Sequence, residues 1–394
     1  MGAAMMKLLG RAIPAGLDGP IQPDVWRVGR PGEGGSDVPL ACLLTAEDSA
    51  APGYRLYLTH GLAGRTPHPV LQLPPELEHV SAGDVIGVSP DGRRVSVLWK
   101  ASAVHNSLLL TEQCDNYCLM CSQPPKDRPD GWLFDRARQI INLLPPTARS
   151  LGLTGGEPTL HADALISLLE HCRAVAPWLQ LHLLSNGRRF ADLSFCRRYA
   201  AVGLDDIMVG IPLYAPEPAL HDFVVQAKGA FDETVHGILN LAAHGQCVEI
   251  RVVVQRHTVP VLADLAEFIV RNLPFVDQVA LMGLEMTGLA RPNAAEVWID
   301  PVDYQAQLAE ATFKLSAAGI ATKIYNHQLC VLDERLWPFA VQSISDWKND
   351  YLEVCDGCAV RDTCGGVFTT SGSRLSAHLR PLTRAESGDA LAVP

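Results

Sequence analysis

The sequence predicts an α/β fold: a partial (β/α)6 barrel, preceded by a β-rich N-terminal module and followed by a loop-rich, cysteine-containing C-terminal extension. Three observations lead there. From about residue 106, apolar runs of strand length alternate with amphipathic segments of helix length, the pattern of a parallel sheet with crossover helices. Before that point the chain is rich in Gly and Pro and shows only short alternating runs. After about residue 320 the alternation stops and cysteines cluster. The expected division is therefore 1–105, 106–319 and 320–394.

In the first segment the runs Tyr54–Leu58, Asp84–Val88 and Arg94–Leu98 read as strands, with a turn at Pro90-Asp-Gly-Arg93. A structural lid on the next domain is the simplest role for this module, ahead of a platform for a partner. Strands are expected at 106–111, 150–154, 180–185, 206–213, 248–255 and 278–285. Helices are expected near 132–144, 162–175, 191–201, 232–244, 262–272 and 302–318. Six such units are two short of a full eightfold barrel, so the arrangement is TIM-like but partial, with its chemistry at the carboxyl ends of the strands. The last dozen residues are expected to fray.

Composition narrows the classes. With 48% apolar and 19% charged residues over 394 positions, a sizeable core is expected and wholesale disorder is not. A formal charge of −11 argues against a phosphate-tracking surface, so no nucleic-acid partner is expected. The opening run Met1–Gly10 is too short for a signal peptide, and no apolar segment reaches the ~18 residues of a membrane helix. The expectation is a cytoplasmic protein with no membrane partner, whose clustered cysteines bind metal rather than form disulfides.

The most informative stretch is Cys114-Asp-Asn-Tyr-Cys118-Leu-Met-Cys121, placed directly after the first barrel strand. Three thiolates on one loop can converge on a metal centre, and soft sulfur selects zinc, copper(I) or iron–sulfur clusters. For zinc, a fourth ligand must come from elsewhere. For a four-iron cluster, one iron stays without a protein ligand and can bind a substrate or cofactor. With 11 Cys in 394 residues the spacing is expected by chance only about 0.01 times, so it carries information.

Other strand ends add candidates. The second strand ends in Gly155-Gly156-Glu157-Pro158, where missing side chains let a ligand approach the backbone and Glu157 offers an acceptor at the barrel mouth. The third ends in Ser185-Asn186-Gly187, whose hydroxyl and amide can bond a ribose. Arg251, on the fifth strand, must be paired or face a ligand if it enters the barrel, and Glu249 shares its face. His221 reads as a capping or packing residue. The C-terminal Cys355, Cys358 and Cys364, with Cys330, could complete a four-thiolate centre, either iron–sulfur or zinc. Cys42, Cys172, Cys196 and Cys247 fall outside any such spacing and read as small buried hydrophobes.

Together the three-cysteine loop and the Gly-Gly-Glu-Pro turn resemble the signature of the radical S-adenosylmethionine (SAM) superfamily. The resemblance implies that Cys114, Cys118 and Cys121 hold a 4Fe–4S cluster whose open iron chelates SAM, with an external electron donor. It implies SAM contacts at Gly155, Gly156 and Glu157, at Ser185 and Asn186, and at Arg251 for the carboxylate, with Met120 covering the adenine. Pro212 stands where relatives commonly carry Ser, which puts that ribose contact in question. The spacing of Cys355, Cys358 and Cys364 resembles the auxiliary-cluster region, called SPASM or twitch, of peptide-modifying members, which implies a second Fe–S cluster. More narrowly, the runs Glu112–Lys126, Leu153–Leu160, Ile211–Tyr214, His221-Asp222 and Ala280–Glu285 resemble the His-Xaa-Ser system radical SAM maturases of the HxsC type. That likeness implies a peptide substrate carrying His-Xaa-Ser repeats and a partner radical SAM protein.

Overall fold

A computed structural model of the chain describes residues 8–17, 19–33, 39–45, 53–61, 68–342, 350–368 and 374–383. Most of the opening apolar run and all of 384–394, the end expected to fray, lie outside the described residues.

The N-terminal segment forms one eight-stranded sheet: β1 (Leu9–Arg11), β2 (Ile13–Ala15), β3 (Val25–Gly29), β4 (Leu40–Leu44), β5 (Leu56–Thr59), β6 (Val70–Gln72), β7 (Val85–Val88) and β8 (Arg94–Trp99). The spatial order is β1-β8-β7-β3-β4-β5-β6-β2. Only Ala12 separates β1 from β2, yet they occupy opposite edges, so the sheet curls until its two ends meet at that residue. Trp26, Val28, Leu56, Leu58, Leu71, Ile86 and Val95 fill the inside. A second, smaller group of Leu40, Cys42, Tyr54, Tyr57 and Val70 packs together elsewhere in this module. Strands such as β3 and β4 were not expected because they are buried on both faces and lack the period-two alternation that marks a half-exposed strand.

The second sheet is parallel throughout and its strands follow chain order. Its elements are β9 (Ser107–Thr111), α1 (Trp132–Leu143), β10 (Ser150–Gly155), α2 (Ala162–Val175), β11 (Gln180–Leu184), α3 (Leu193–Ala201), β12 (Ile207–Pro212), α4 (Pro218–Val225), α5 (Ala230–Ala243), β13 (Cys247–Val254), α6 (Leu262–Asn272), β14 (Gln278–Gly283), α7 (Ala294–Val297), α8 (Gln305–Ala317) and β15 (Ala321–Tyr325). Alternate residues, such as Leu181 and Leu183, Val209 and Ile211, or Val248, Ile250 and Val252, pack outward against the helices. Each fully buried aliphatic side chain of this layer contributes about 1.5–3 kcal/mol. Among the described residues no pairing joins β9 to β15, so the sheet is an open, partial TIM-like barrel.

Two details depart from the sequence reading. A seventh strand, β15, pairs in parallel with β14 and lies in the segment where the alternation was expected to have ended. Its pattern is hard to read because Ala321 and Lys323 are exposed at the sheet edge, leaving a short, half-polar run. The helix α4 was also missed. It is eight residues long, started by Glu217 as N-cap and Pro218 at the first helical position.

Candidate functional site

Cys114, Cys118 and Cys121 stand on the loop that leaves β9 at the carboxyl edge of the sheet. Its backbone groups find partners on neighbouring elements. The Tyr117 and Leu119 amides donate to the Val225 and Val224 carbonyls of α4, at 2.9 and 3.0 Å. The Leu289 amide donates to the Cys121 carbonyl at 2.8 Å, and the Asn293 carboxamide donates to the Leu119 carbonyl at 2.9 Å. At the root of the loop buried Asp130 accepts from the Thr111 hydroxyl at 3.0 Å and from the Glu112 amide at 2.5 Å.

The paired glycines after β10 belong to this support. The Gly156 amide donates to the Thr111 carbonyl at 2.8 Å, and the Glu157 amide to the Gln113 carbonyl at 2.7 Å, extending the β9–β10 ladder past its bulge. A Cβ on Gly155 would stand 2.5 Å from the Thr111 carbonyl oxygen, and one on Gly156 would stand 2.0 Å from that of Gln113 and 3.1 Å from the Cys114 Cβ. What approaches their bare backbone is the cysteine loop itself.

Glu157 is likewise turned inward. Its side chain is buried, so it offers no free acceptor at the mouth. Oε1 accepts from the Thr159 amide at 2.9 Å, the Thr159 hydroxyl at 2.6 Å and the Ser185 hydroxyl at 2.9 Å, while Oε2 accepts from the Asn186 amide at 2.5 Å. Burial pushes its carboxyl up, and these donors pull it back down. Ser185 and Asn186 are drawn into the same network. The Ser185 oxygen also accepts from the Gly187 amide at 3.1 Å, and the Asn186 carboxamide donates to Asp115 beside Cys114 at 2.6 Å.

One residue that sequence reasoning missed completes the clamp. Arg188 donates from Nε to Glu233 at 2.6 Å, and from one terminal nitrogen to the Asp115 carbonyl at 3.0 Å and the Asn116 side chain at 2.9 Å. The same nitrogen is 3.1 Å from the Asp115 carboxylate. A guanidinium suits this work because its donors diverge in a rigid plane. The available signal was an Arg directly after the Ser-Asn-Gly turn at a strand end, with acids on the cysteine loop to meet it.

The three thiols are close enough to feel one another's charge. Burial pushes the Cys114 thiol up to about 12 and raises Cys118 and Cys121 as well. Thiols of this kind ionise at neutral pH only when a cation compensates, which is the chemistry of a metal ligand set. Met120 is buried and packs with Tyr214, Val224, Val225 and Met286 in a small core beneath the loop, whereas Tyr117 is exposed. His221 belongs to this region too. It stacks on Tyr214, meets Phe231 edge-on, and accepts the Tyr214 amide at Nδ1, which makes it a packing residue.

Arg251 faces the inside of the barrel and is paired with buried Glu249, the first of the two alternatives its position allowed. Gln278 also donates to Glu249, His182 lies 3.5 Å from it, and Arg251 contacts the Met282 sulfur at 3.2 Å. The open sheet therefore holds a polar cluster on its concave side.

The C-terminal cysteines come together as well. Cys330 lies within electrostatic reach of Cys355 and Cys358, and Cys364 within reach of Cys330 and Cys355. Backbone amides aim at the sulfurs: Leu329 at Cys364 at 3.5 Å and Leu382 at Cys358 at 3.3 Å. Such bonds favour the thiolate and tune bound clusters. Among the described residues no three His, Cys, Asp or Glu side chains already surround a single ion-sized point. Thiolates that each bind a different iron of one cluster stand further apart than ligands sharing one ion.

No curated protein matches the chain. The model of the Radical SAM superfamily matches residues 108–269, from β9 through α6. This stretch is similar to the radical SAM superfamily domain, and it covers less than half of the chain. The superfamily implies a 4Fe–4S cluster and SAM. Among solved structures the chain is similar to Streptococcus suis SuiB, at 16% identity and a TM-score of 0.44 over 56% of this chain and 49% of that one. It is similar to anSMEcpe with bound AdoMet and the Cp18Cys peptide, at 16% identity and 0.44 over 56% and 63%. It is also similar to a radical SAM methyltransferase from Sphaerobacter thermophilus, at 17% identity and 0.44 over 63% and 74%. The match spans about half of SuiB and under two thirds of anSMEcpe. Among the described residues no helix is long and apolar enough to cross a membrane.

Proposed function

We propose that this chain is a radical SAM peptide maturase of the His-Xaa-Ser system, HxsC-type, acting on a ribosomally made peptide with His-Xaa-Ser repeats. The observation that carries the reading is the loop of Cys114, Cys118 and Cys121, three mutually coupled thiols pinned by backbone bonds at the carboxyl edge of the sheet. In this reading they hold a 4Fe–4S cluster, and Cys330, Cys355, Cys358 and Cys364 hold a second Fe–S cluster. The catalytic unit is 106–319 extended by β15, the segment from there to 394 is the auxiliary-cluster region, and 1–105 is an accessory module. A peptide substrate, a partner radical SAM protein and an external electron donor are the proposed partners. The peptide rests on the likeness of Glu112–Lys126 and the other quoted runs to that group of maturases.

When bound, the cluster and SAM supply a 5′-deoxyadenosyl radical by reductive cleavage of the sulfonium. The chain's own residues orient and shield. The backbone from Gly155 to Glu157, with Ser185 and Asn186, lines the place of the methionyl and ribose groups, and Glu157 keeps these two strand ends in one register. Met120 supports the adenine side from beneath the loop. Arg188 neutralises Asp115, which would otherwise place an uncompensated charge next to Cys114. Arg251, whose charge is balanced by Glu249, would offer its remaining donors to the SAM carboxylate on the concave side of the sheet.

The test is anaerobic reconstitution followed by iron and sulfide analysis, then incubation with SAM, a strong reductant and a His-Xaa-Ser repeat peptide. Formation of 5′-deoxyadenosine together with a mass change on that peptide is the expected result. Stoichiometric zinc without colour would instead identify a scaffold, and 5′-deoxyadenosine with no change on the repeat peptide would leave the enzyme class standing with another substrate.

A further inference from the structure

The seam of the N-terminal sheet leaves both charge and backbone unpaired. β1 pairs with β8 in the register Leu9↔Ser96, Gly10↔Val95 and Arg11↔Arg94. The flanking bonds run from the Val97 amide to the Leu8 carbonyl at 2.8 Å and from the Ala12 amide to the Arg93 carbonyl at 2.9 Å. Residues 8, 10 and 12 therefore turn their backbone groups toward β8, and Leu9 and Arg11 turn theirs outward, where β1 is the edge of the sheet. Arg11 and Arg94 accordingly form a non-hydrogen-bonded pair, the position at which facing side chains of an antiparallel ladder come closest. Like charges directly opposite each other destabilise a sheet.

Only the field of Asp91 offsets part of this repulsion among the described residues. Among the described residues the guanidiniums of Arg11, Arg93 and Arg94 make no ion pair or hydrogen bond. Asp91, whose field reaches Arg93 and Arg94, already accepts the Ser89 hydroxyl and the Arg93 amide. The three arginines and Asp91 border a cleft of 560 Å³, a net positive lining on a chain whose net charge is −11. Leu9 and Ile13, 59% and 65% exposed, add apolar contact at the same seam.

We propose that this cleft docks an acidic, extended segment of the peptide substrate. The segment pairs its main chain with the outward groups of Leu9 and Arg11, places carboxylates on Arg11, Arg93 and Arg94, and lays apolar side chains on Leu9 and Ile13. The inference rests on the peptide-maturase reading. A free strand edge and exposed aliphatic side chains suit a polypeptide, whereas a nucleic acid would use the arginines and leave both idle.

Fluorescence anisotropy of the full-length protein with a labelled peptide of alternating Glu and Val tests it, against the same peptide with Lys for Glu and against single-stranded DNA. Selective binding of the acidic peptide is expected, weakening as salt rises to about 0.5 M. Arg94→Glu gives Arg11 an internal partner. It should therefore raise the Tm while lowering affinity for the acidic peptide about tenfold or more. Arg93→Glu, outside the strand pairing, should lower affinity without that gain. Iron content and peptide-independent 5′-deoxyadenosine formation should be unchanged in both variants, which keeps failure of docking distinct from failure of the enzyme. Equal binding of the Lys peptide, preference for DNA, or unchanged affinity in both variants would overturn the proposal.

Discussion

Replacing Gly156 with Ala should disable the site while leaving the barrel folded. The added Cβ would stand 2.0 Å from the Gln113 carbonyl oxygen and 2.6 Å from its carbon, so the cysteine loop must retreat by about 1 Å or more to restore ordinary contact. Overpacking of this kind costs about 1–3 kcal/mol. Retreat also breaks the Gly156 to Thr111 and Glu157 to Gln113 bonds, at about 1 kcal/mol each. The sum is about 3–5 kcal/mol, borne by the loop that carries Cys114 rather than by the helix-packed layer. The assay is iron and sulfide content after anaerobic reconstitution, with 5′-deoxyadenosine formation and a melting curve measured on the same sample. Gly131→Ala is the control, because a Cβ there meets nothing within 4 Å and its φ of −54° is ordinary. A Gly156→Ala protein that binds iron and cleaves SAM like the wild type would refute the argument that these glycines exist for the loop.

Further outcomes follow from the same geometry. Arg188→Ala should cost about 1–2 kcal/mol and make iron more readily lost to chelators, because it removes the donors that tie Asp115 and Asn116 of the cysteine loop to exposed Glu233; Arg188→Lys should not restore retention, since one ammonium cannot hold donors in two directions. Burial holds the His221 and His327 imidazoles down at about 4, below their ordinary 6.5. The unfolded chain therefore takes up protons that the native state refuses, so the stability present above pH ~6.5 is lost as pH falls toward ~4, by about 2 kcal/mol per histidine at pH ~5. Urea midpoints at pH ~7.5 and ~5 check this, and His221→Asn, whose side-chain oxygen can still accept the Tyr214 amide, should flatten the slope. Cys355→Ala/Cys358→Ala should reduce bound iron from about eight to about four per chain while SAM cleavage at the first site persists. Unchanged iron would remove the second cluster from the reading.

How much of this was legible depended on the kind of signal. The parallel sheet from β9 to β14 could be read because its strands are long apolar runs separated by helices of clear period, as with Val248–Val254 and α6. In the N-terminal sheet β5, β7 and β8 could be read from their short alternating runs, but strands such as Leu40–Leu44 could not, because they are short and buried on both faces, and the parallel pairs connect elements that local pattern does not link. At the site, spacing disclosed Cys114, Cys118 and Cys121, since ligands sharing a loop must be near in sequence. Spacing could not disclose Arg188, whose partners Asp115 and Glu233 lie far away along the chain. Nor could it show that the polar atoms of Glu157 and Ser185 bond each other.

That last point separates two ways a motif can serve chemistry. A residue can touch the ligand, or it can fix the atoms that do, and Glu157 does the second by tying the ends of β10 and β11 together. Most anchors of the first loop are backbone, carboxamide or carboxylate contacts to β10, α4, Leu289, Asn293, Arg188 or Asp130, and the sulfurs add only local ones, Cys114 accepting the Asn116 amide at 3.4 Å and Cys121 meeting the Gln123 carbonyl at 3.1 Å. The loop therefore has a frame beyond its thiols, and a metal bound there would supply a smaller share of its stability. The C-terminal cysteines differ. Among the described residues their segment is held by short 3₁₀ turns at Leu329–Val331, Glu334–Phe339 and Glu353–Cys355, the Asp350↔Val367 bridge, and side-chain ties such as Gln328 to the Gly366 carbonyl at 2.7 Å. With so little regular structure, a bound metal would supply a larger share of that segment's stability, so the two cysteine sets stand in opposite relations to folding even if they hold the same kind of cluster.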